Sequence, residues 1–396
     1  MEAIPESSVK VVEEVSHVSP PPGSVPTASL PLTFFDLLFL VTIPVNCNWM
    51  RRLFFYEFER PASDFMQTVV PGLKTSLLLA LQRFFPFAGN VVFPPPPRMP
   101  YIVYTEGDSV SFVVKETSAD FNHLADDHVR DHEGFLALVP QRPPGTESTS
   151  SSNDTDGCRQ EPAMAVQVTL FPNAGFSIGV GFSHNVADGR TFAHFMKSWA
   201  SIHRCQGDLA CLDNYLPSFD RGSVNDPLGL ASLFMKDVER AFRDCRAYLK
   251  VPETYFGNCL MLRLTSAKKS ELLGENGILV AATAIGREIM EFQKQPFKDA
   301  EESLPKTIEK NKTEEDIVLL LSSPKFRLYD IDFGWGRPRK TEVAMLRSIG
   351  CRSMICISES REEEGGVVFA LGLASHESVN SFSDIFMEGL SKLHSK

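Results

Sequence analysis

An α/β protein of two domains is what this sequence predicts, and three observations carry that prediction. The chain has 396 residues, enough for two substantial cores rather than one. Hydrophobic residues make up 43% and charged residues 22%, the balance of an ordinary soluble globular protein. Apolar runs with a two-residue period are interleaved along the chain with longer apolar runs at helical spacing.

The elements follow in order. Met1 to Pro26 is polar, acidic and proline-rich, unlike a secretory leader. Pro31 to Tyr56 reads as a buried loop and strand. Within it, the apolar run Leu30 to Val45 is interrupted by Asp36 and Pro44, and it is too short to span a bilayer. Leu73 to Phe85 lacks glycine and proline and predicts a buried helix stopped by Pro86. Pro94 to Pro97 marks a loop, and strands at Tyr101–Thr105 and Ser109–Glu116 are joined by the turn Glu106-Gly107-Asp108. Gly145 to Gly157 is low in complexity and reads as a mobile surface loop.

The most informative stretch is a hairpin. Met164–Phe171 and Phe176–Ser183 flank the turn Pro172-Asn173-Ala174-Gly175. On the return strand Phe176, Ile178, Val180, Phe182 and His184 share one parity, so His184 extends an apolar face. Phe192, Phe195, Met196, Trp199 and Ile202 then repeat at helical spacing, which places His184 at a strand-to-helix junction. Residues 205–226, rich in turn formers, read as a crossover between a domain at 1–204 and a second at 227–396. Beyond it come an amphipathic helix at Leu230–Leu249, a strand at Cys259–Leu264, a helix at Gly277–Gln293 and a solvated stretch at Lys298–Asp316.

Charge and cysteine usage exclude several function classes. The formal net charge of -11 argues against a general nucleic-acid binder, though not against a local basic pocket. The eight cysteines show no CxxC pair or metal-ligand spacing, so reduced thiols in a cytoplasmic protein are expected. Asn153-Asp154-Thr155 and Asn311-Lys312-Thr313 fit the glycosylation pattern and, without a secretion signal, read as unused surface sequence.

Two motifs carry chemistry. His184-Asn185-Val186-Ala187-Asp188-Gly189 ends the hairpin, and Asp332-Phe333-Gly334-Trp335-Gly336 lies far downstream. The His-x-x-x-Asp spacing alone is weak: a chain with nine histidines yields roughly half a match by chance. His123 and Asp127 also fit it, but in a charged run with no apolar strand before them. A neutral imidazole at the edge of an apolar face suits a general base that takes a proton from a hydroxyl. The alternatives are a core histidine satisfied by backbone, with Asp188 as a helix N-cap. Asp188 in an ion pair would be structural rather than a charge relay. A metal site using His184 and Asp188 is weaker, since no third ligand is indicated nearby. Asp332 to Gly336 also fits a tight turn against a packed ring.

Further segments give these motifs a context: Leu30 to Asp36, Phe54-Phe55-Tyr56, Pro86 to Asn90, Gly107 to Val110, Tyr255-Phe256-Gly257-Asn258-Cys259, Ile357 to Arg361 and Gly365-Gly366-Val367. Together and in this order they resemble the plant BAHD acyltransferases, above all the branch acting on anthocyanins and other phenolic glycosides. The resemblance implies two chloramphenicol-acetyltransferase-like domains, each a mixed sheet flanked by helices, with the active-site channel between them. It implies that His184 deprotonates an acceptor hydroxyl that attacks an acyl-CoA thioester directly, with no covalent acyl-enzyme. Acyl-CoA is then a cosubstrate, no cofactor is held permanently, and the acceptor is a phenolic or flavonoid glucoside. Malonyl and hydroxycinnamoyl donors both fit, malonyl slightly better. The resemblance further implies that Asp188 points away from substrate and pairs with Arg246, and that Asp332 shapes the CoA side of the channel. Trp335, Ser322 and Ser323 are candidates for the oxyanion neighbourhood. Arg337, Arg339 and Lys340 are candidates for CoA phosphates, against the alternative of a solvated basic turn. A monomer with no nucleic-acid or membrane partner is expected.

The chain departs from the family pattern in one place. Between Leu230 and Asp244 about sixty to seventy residues are missing relative to the pattern, several elements' worth. A shortened second domain follows, and with it an alternative reading: a non-catalytic relative that has lost part of that domain.

Overall fold

The computed structural model describes residues 9–42, 48–95, 97–130, 132–147, 158–213, 215–224, 226, 249–261, 265–295, 297, 318–344, 353–373 and 375–394. Its centre is a six-stranded mixed sheet in the order β1 (Val9–Val18), β6 (Val110–Thr117), β9 (Met164–Phe171), β10 (Gly175–Ser183), β3 (Trp49–Glu57) and β12 (Lys340–Val343). β6 and β9 run parallel and the other neighbours antiparallel. The last strand comes from the second half of the chain, so residues 340–343 extend a sheet built by the first half. A five-stranded antiparallel sheet comprises β2 (Ala28–Pro31), β5 (Tyr101–Tyr104), β4 (Asn90–Phe93), β8 (Arg159–Pro162) and β7 (Thr146–Glu147).

The expected hairpin is present, with Phe182 opposite Met164 and Phe176 opposite Leu170. One feature differs from the reading of a single apolar face: every residue of β9 and β10 is buried. The second face is built from small residues that admit close neighbours. A side chain at Gly179 would strike the Leu138 carbonyl, and one at Gly181 would strike the Trp49 indole. β3 is likewise covered on both sides, sending Phe54 and Tyr56 into the main core and Leu53 and Phe55 into a second cluster with Phe121, Phe135 and Leu138.

Helices cover the main core. α2 (Val70–Arg83) stops before Pro86 as expected, and it is entered through a π-turn at Phe65–Val69. It packs on α3 (Gly189–Arg204), where the buried Trp199 indole N–H donates to Ser76 Oγ at 3.0 Å. Pro31 to Tyr56 departs from the expected loop and strand, because Phe34–Thr42 is a helix, α1. Its buried Phe34, Phe35, Leu37, Leu38 and Phe39 leave no polar stripe from which helical period could be read.

The second half is thinner. A three-stranded sheet pairs β11 (Val318–Leu321) with β13 (Ser353–Glu359) in parallel and β13 with β14 (Val367–Leu373) in antiparallel fashion. Helices α4 (Gly277–Lys294) and α5 (His376–His394) accompany it. Many of their apolar side chains meet solvent: Ile278 is 90% exposed, Leu279 65% and Ile385 71%. Phe382 and Phe386 stack on one another at 5.9 Å while both remain exposed. Such residues are normally covered, and their exposure is what a domain short of several packing elements must show. Of the strand expected at Cys259–Leu264, the described part, 259–261, holds a single β-bridge at Leu260, and residues 262–264 lie outside the described residues. The Leu230–Leu249 helix up to residue 248, the Lys298–Asp316 stretch and the loop beyond Glu147 lie outside the described residues. Among the described residues no helix is long and apolar enough to cross a membrane.

Candidate active site

β10 ends at Ser183, and His184 follows in the turn that leads to α3. Its backbone N–H donates to the Asn48 carbonyl at 2.9 Å, which holds the turn to the entrance of β3. Asn48 and Asn185 side chains hydrogen-bond to each other, and Asn185 Nδ2 donates to the Asp36 carbonyl at 3.0 Å. The imidazole lies flat on Phe39, with centroids 3.6 Å apart and planes 17° apart. The residue as a whole is half-buried.

Burial is the main influence on this ring, holding its pKa down to about 4. Arg52 acts in the same direction, while Asp188 and Asn258 oppose it. His184 is therefore neutral at physiological pH. If it serves as base, kcat/KM should stay level on the acid side until the pH approaches about 4 and fall below that. An acid limb near the ordinary histidine value would contradict this environment. For stability the sign runs the same way. Between the ordinary value of 6.5 and about 4 the unfolded chain binds a proton that folded His184 does not, so stability drops as pH falls through that window.

Asp188 is fully buried and caps α3. Oδ1 accepts from Thr191 N–H at 2.9 Å and Oδ2 from Cys259 N–H at 3.2 Å. Thr191 Oγ1 in turn donates to the Gly257 carbonyl at 2.8 Å. The helix N-terminus thus grips residues 257–259 of the second half. The expected partner Arg246 lies outside the described residues.

The structure also assembles residues given no role from sequence. Asn258 Oδ1 lies 3.2 Å from His184 Nδ1, and Asn258 Nδ2 donates to the His184 carbonyl at 2.7 Å. Asn258 Nδ2 also donates to Asp36 Oδ1 at 2.8 Å. Asp36, fully enclosed, accepts on Oδ2 from Thr33 N–H and Oγ1, both at 2.8 Å, and from Arg221 Nη1 at 3.0 Å. The pattern Thr33-Phe34-Phe35-Asp36 before an apolar run is a capping-box signal that could have located α1 and Asp36. No local spacing joins Asn258 to His184.

The downstream motif is not brought to His184. Asp332 Oδ1 accepts from Gly334 N–H at 2.7 Å and Gly336 N–H at 2.9 Å, both glycines having φ near +100° (109° and 90°). Phe333 inserts against Trp199, and its carbonyl meets His203 Nδ1 at 2.6 Å. Trp335 packs on Phe176, Tyr56 and His203. Phe176 and His184 are eight strand positions apart, about 27 Å. Trp335 is therefore a packing residue at the far end of β10, not a neighbour of an oxyanion at His184. Ser322 is better placed. Its Oγ accepts from Arg52 Nη2 at 3.4 Å, and Arg52, opposite Val180, shares the face of His184. Ser323 accepts from Lys325 N–H at 3.2 Å as a local cap. Arg339 and Lys340 are engaged by Asp126 and Asp127, so the second His-x-x-x-Asp match serves as a docking point for β12. Arg337, more than half exposed, pairs with Asp330 at 3.5 Å.

Comparison with known proteins completes the picture. Vinorine synthase shares the fold with a TM-score of 0.62 at 18% identity, over 94% of this chain and 96% of its own. TRI101 of F. graminearum, crystallised with ethyl coenzyme A, aligns with a TM-score of 0.58 at 14% identity, over 90% and 97%. The architecture is thus that of the chloramphenicol-acetyltransferase-like acyltransferases. The profile of the Transferase family matches residues 13–233 and 240–387. Coumaroyl-CoA:anthocyanidin 3-O-glucoside-6''-O-coumaroyltransferase 1 of Arabidopsis thaliana is 31% identical, over 96% of this chain and 97% of its own. Malonyl-coenzyme A:anthocyanin 3-O-glucoside-6''-O-malonyltransferase of Dahlia pinnata is 31% identical, over 95% and 96%. The chain belongs to the plant BAHD acyltransferase family. The profile match breaks at residues 234–239, inside the stretch read as shortened. The first relative's alignment runs over 472 positions against 396 residues here, so that relative carries residues with no counterpart in this chain.

Proposed function

We propose that this protein is a CoA-dependent O-acyltransferase that moves a malonyl or hydroxycinnamoyl group onto a hydroxyl of a phenolic or flavonoid glucoside, with His184 as general base. The observation that carries the reading is a neutral, half-buried histidine held between the Phe39 ring and the Asn258 amide at the end of β10. The ring nitrogen turned away from Asn258 takes the proton of the acceptor hydroxyl. The hydroxyl oxygen bonds to the thioester carbonyl carbon, giving a tetrahedral intermediate. Its collapse breaks the carbon–sulfur bond, and the leaving thiolate takes the proton from His184. A donor to the oxyanion adds on the order of 3 kcal/mol, and Ser322, beside Arg52, is the candidate for it. Asp188 and Asp332 serve structurally, one fixing the helix end and the other closing its own loop. In this reading a first domain at 1–204 carries the base and a second at 227–396 carries the Asp332 motif, in a cytoplasmic monomer.

The exposed apolar side chains of the second half favour one rival, a non-catalytic relative. CoA thiol release separates the two. Malonyl- and coumaroyl-CoA offered with a panel of flavonoid glucosides should give release that requires an acceptor. A folded sample that releases none with any pair is the rival's result.

A further inference from the structure

We infer that Asn258, itself oriented by Asp36, sets the tautomer and ring plane of His184 and is a positioning residue for acyl transfer. The inference rests on the reading of His184 as base. An asparagine amide has two hydrogens on one side and only an acceptor on the other. Asn258 Nδ2 meets two groups that can only accept, the Asp36 carboxylate at 2.8 Å and the His184 carbonyl at 2.7 Å. Reversing the amide would turn its oxygen toward both and leave three acceptors in a buried space, so the amide has one orientation. Oδ1 must then face His184 Nδ1, at 3.2 Å, and an amide oxygen accepts only from N–H. The hydrogen of the neutral imidazole therefore sits on Nδ1, and Nε2 carries the lone pair that a base needs.

The rest of the network makes that orientation rigid. Asp36 cannot rotate, because Thr33 and Arg221 fill Oδ2 while Asn258 N–H, at 3.1 Å, adds a second donor to Oδ1. Asp188 holds the next residue, Cys259, by its N–H. Phe39 fixes the ring plane from one face. Three segments remote in sequence thus converge on one proton: α1, the turn after β10, and residues 257–259.

The test begins with nitrogen-15 histidine NMR of the full chain, the His184 signals assigned by their loss in His184→Gln. The expected spectrum has the hydrogen on Nδ1 and a bare Nε2; hydrogen on Nε2 overturns the proposal whatever the activity. In Asn258→Ala the folded protein should show His184 exchanging between tautomers. Its kcat should fall about tenfold or more, with KM for acyl-CoA changed less than about twofold, because Asn258 is fully buried with its amide committed to His184 and Asp36. A folded Asn258→Ala with an unchanged tautomer and unchanged kcat reduces the residue to packing and overturns it. Asp36→Asn combined with Asn258→Ala should cost no more than the worse single change, since both act through one bond; full additivity overturns the link. Absence of CoA release from the wild-type chain would defeat the proposed reaction alone, while the NMR result would still decide the tautomer.

Discussion

His184→Ala is expected to lower kcat by about 10²- to 10⁴-fold, the usual contribution of a positioned base, while the fold persists. Persistence follows from the geometry. The residue is only partly buried, and the bond that anchors its turn is made by its backbone N–H to Asn48, which alanine keeps. The substitution removes the face-to-face contact with Phe39 and the ring's bond to Asn258 Oδ1, while Asn258 keeps its bonds to Asp36 and to the backbone carbonyl of residue 184. The comparison needs CoA thiol release with an acceptor present, together with the melting curves of both proteins. Equal turnover by the variant would remove His184 from the mechanism. An intact melting curve with abolished turnover is the expected pair.

Asp188→Ala should fail in another way, losing stability and activity together. The substitution strands two buried N–H groups, of Thr191 and Cys259. Each orphaned donor costs about 1–3 kcal/mol, and loss of the N-cap to α3 is part of the same penalty. Release of Cys259 also frees the segment that carries Asn258, so turnover drops even in the fraction that stays folded. Calorimetry and CoA release on the same samples test this. Activity lost with an unmoved melting curve would assign Asp188 to the chemistry rather than to the scaffold.

What the sequence made legible was what local period and local chemistry encode. The β9–β10 hairpin, its turn, and α3 with Asp188 at its start all follow from spacing over a dozen residues. The shortened stretch near residue 234 was legible too, because a missing element leaves a gap in an ordered series of motifs. α1 was hidden by being apolar on every side. Asp36 was read as an interruption in an apolar run, although its spacing from Thr33 is that of a capping box. Its tie to Asn258 spans 222 residues, and nothing in a linear pattern announces such a pairing. Trp335 shows the converse limit. Sharing a motif with Asp332 said nothing about distance from His184, which the packing on Phe176 decided.

The uneven burial of the two halves has a consequence for cooperativity. Among the described residues, most of the large enclosed side chains belong to the first half, whereas α4 and α5 expose many of theirs. Parts of a chain that bury such different amounts of apolar surface open at different free energies, so the three-stranded sheet with α4 and α5 is expected to unfold first while the β10 sheet, which β12 joins, stays intact. A single melting temperature then describes two separate transitions. Any ligand that grips both halves adds its binding free energy where the reserve is smallest, and it draws the two transitions together into one.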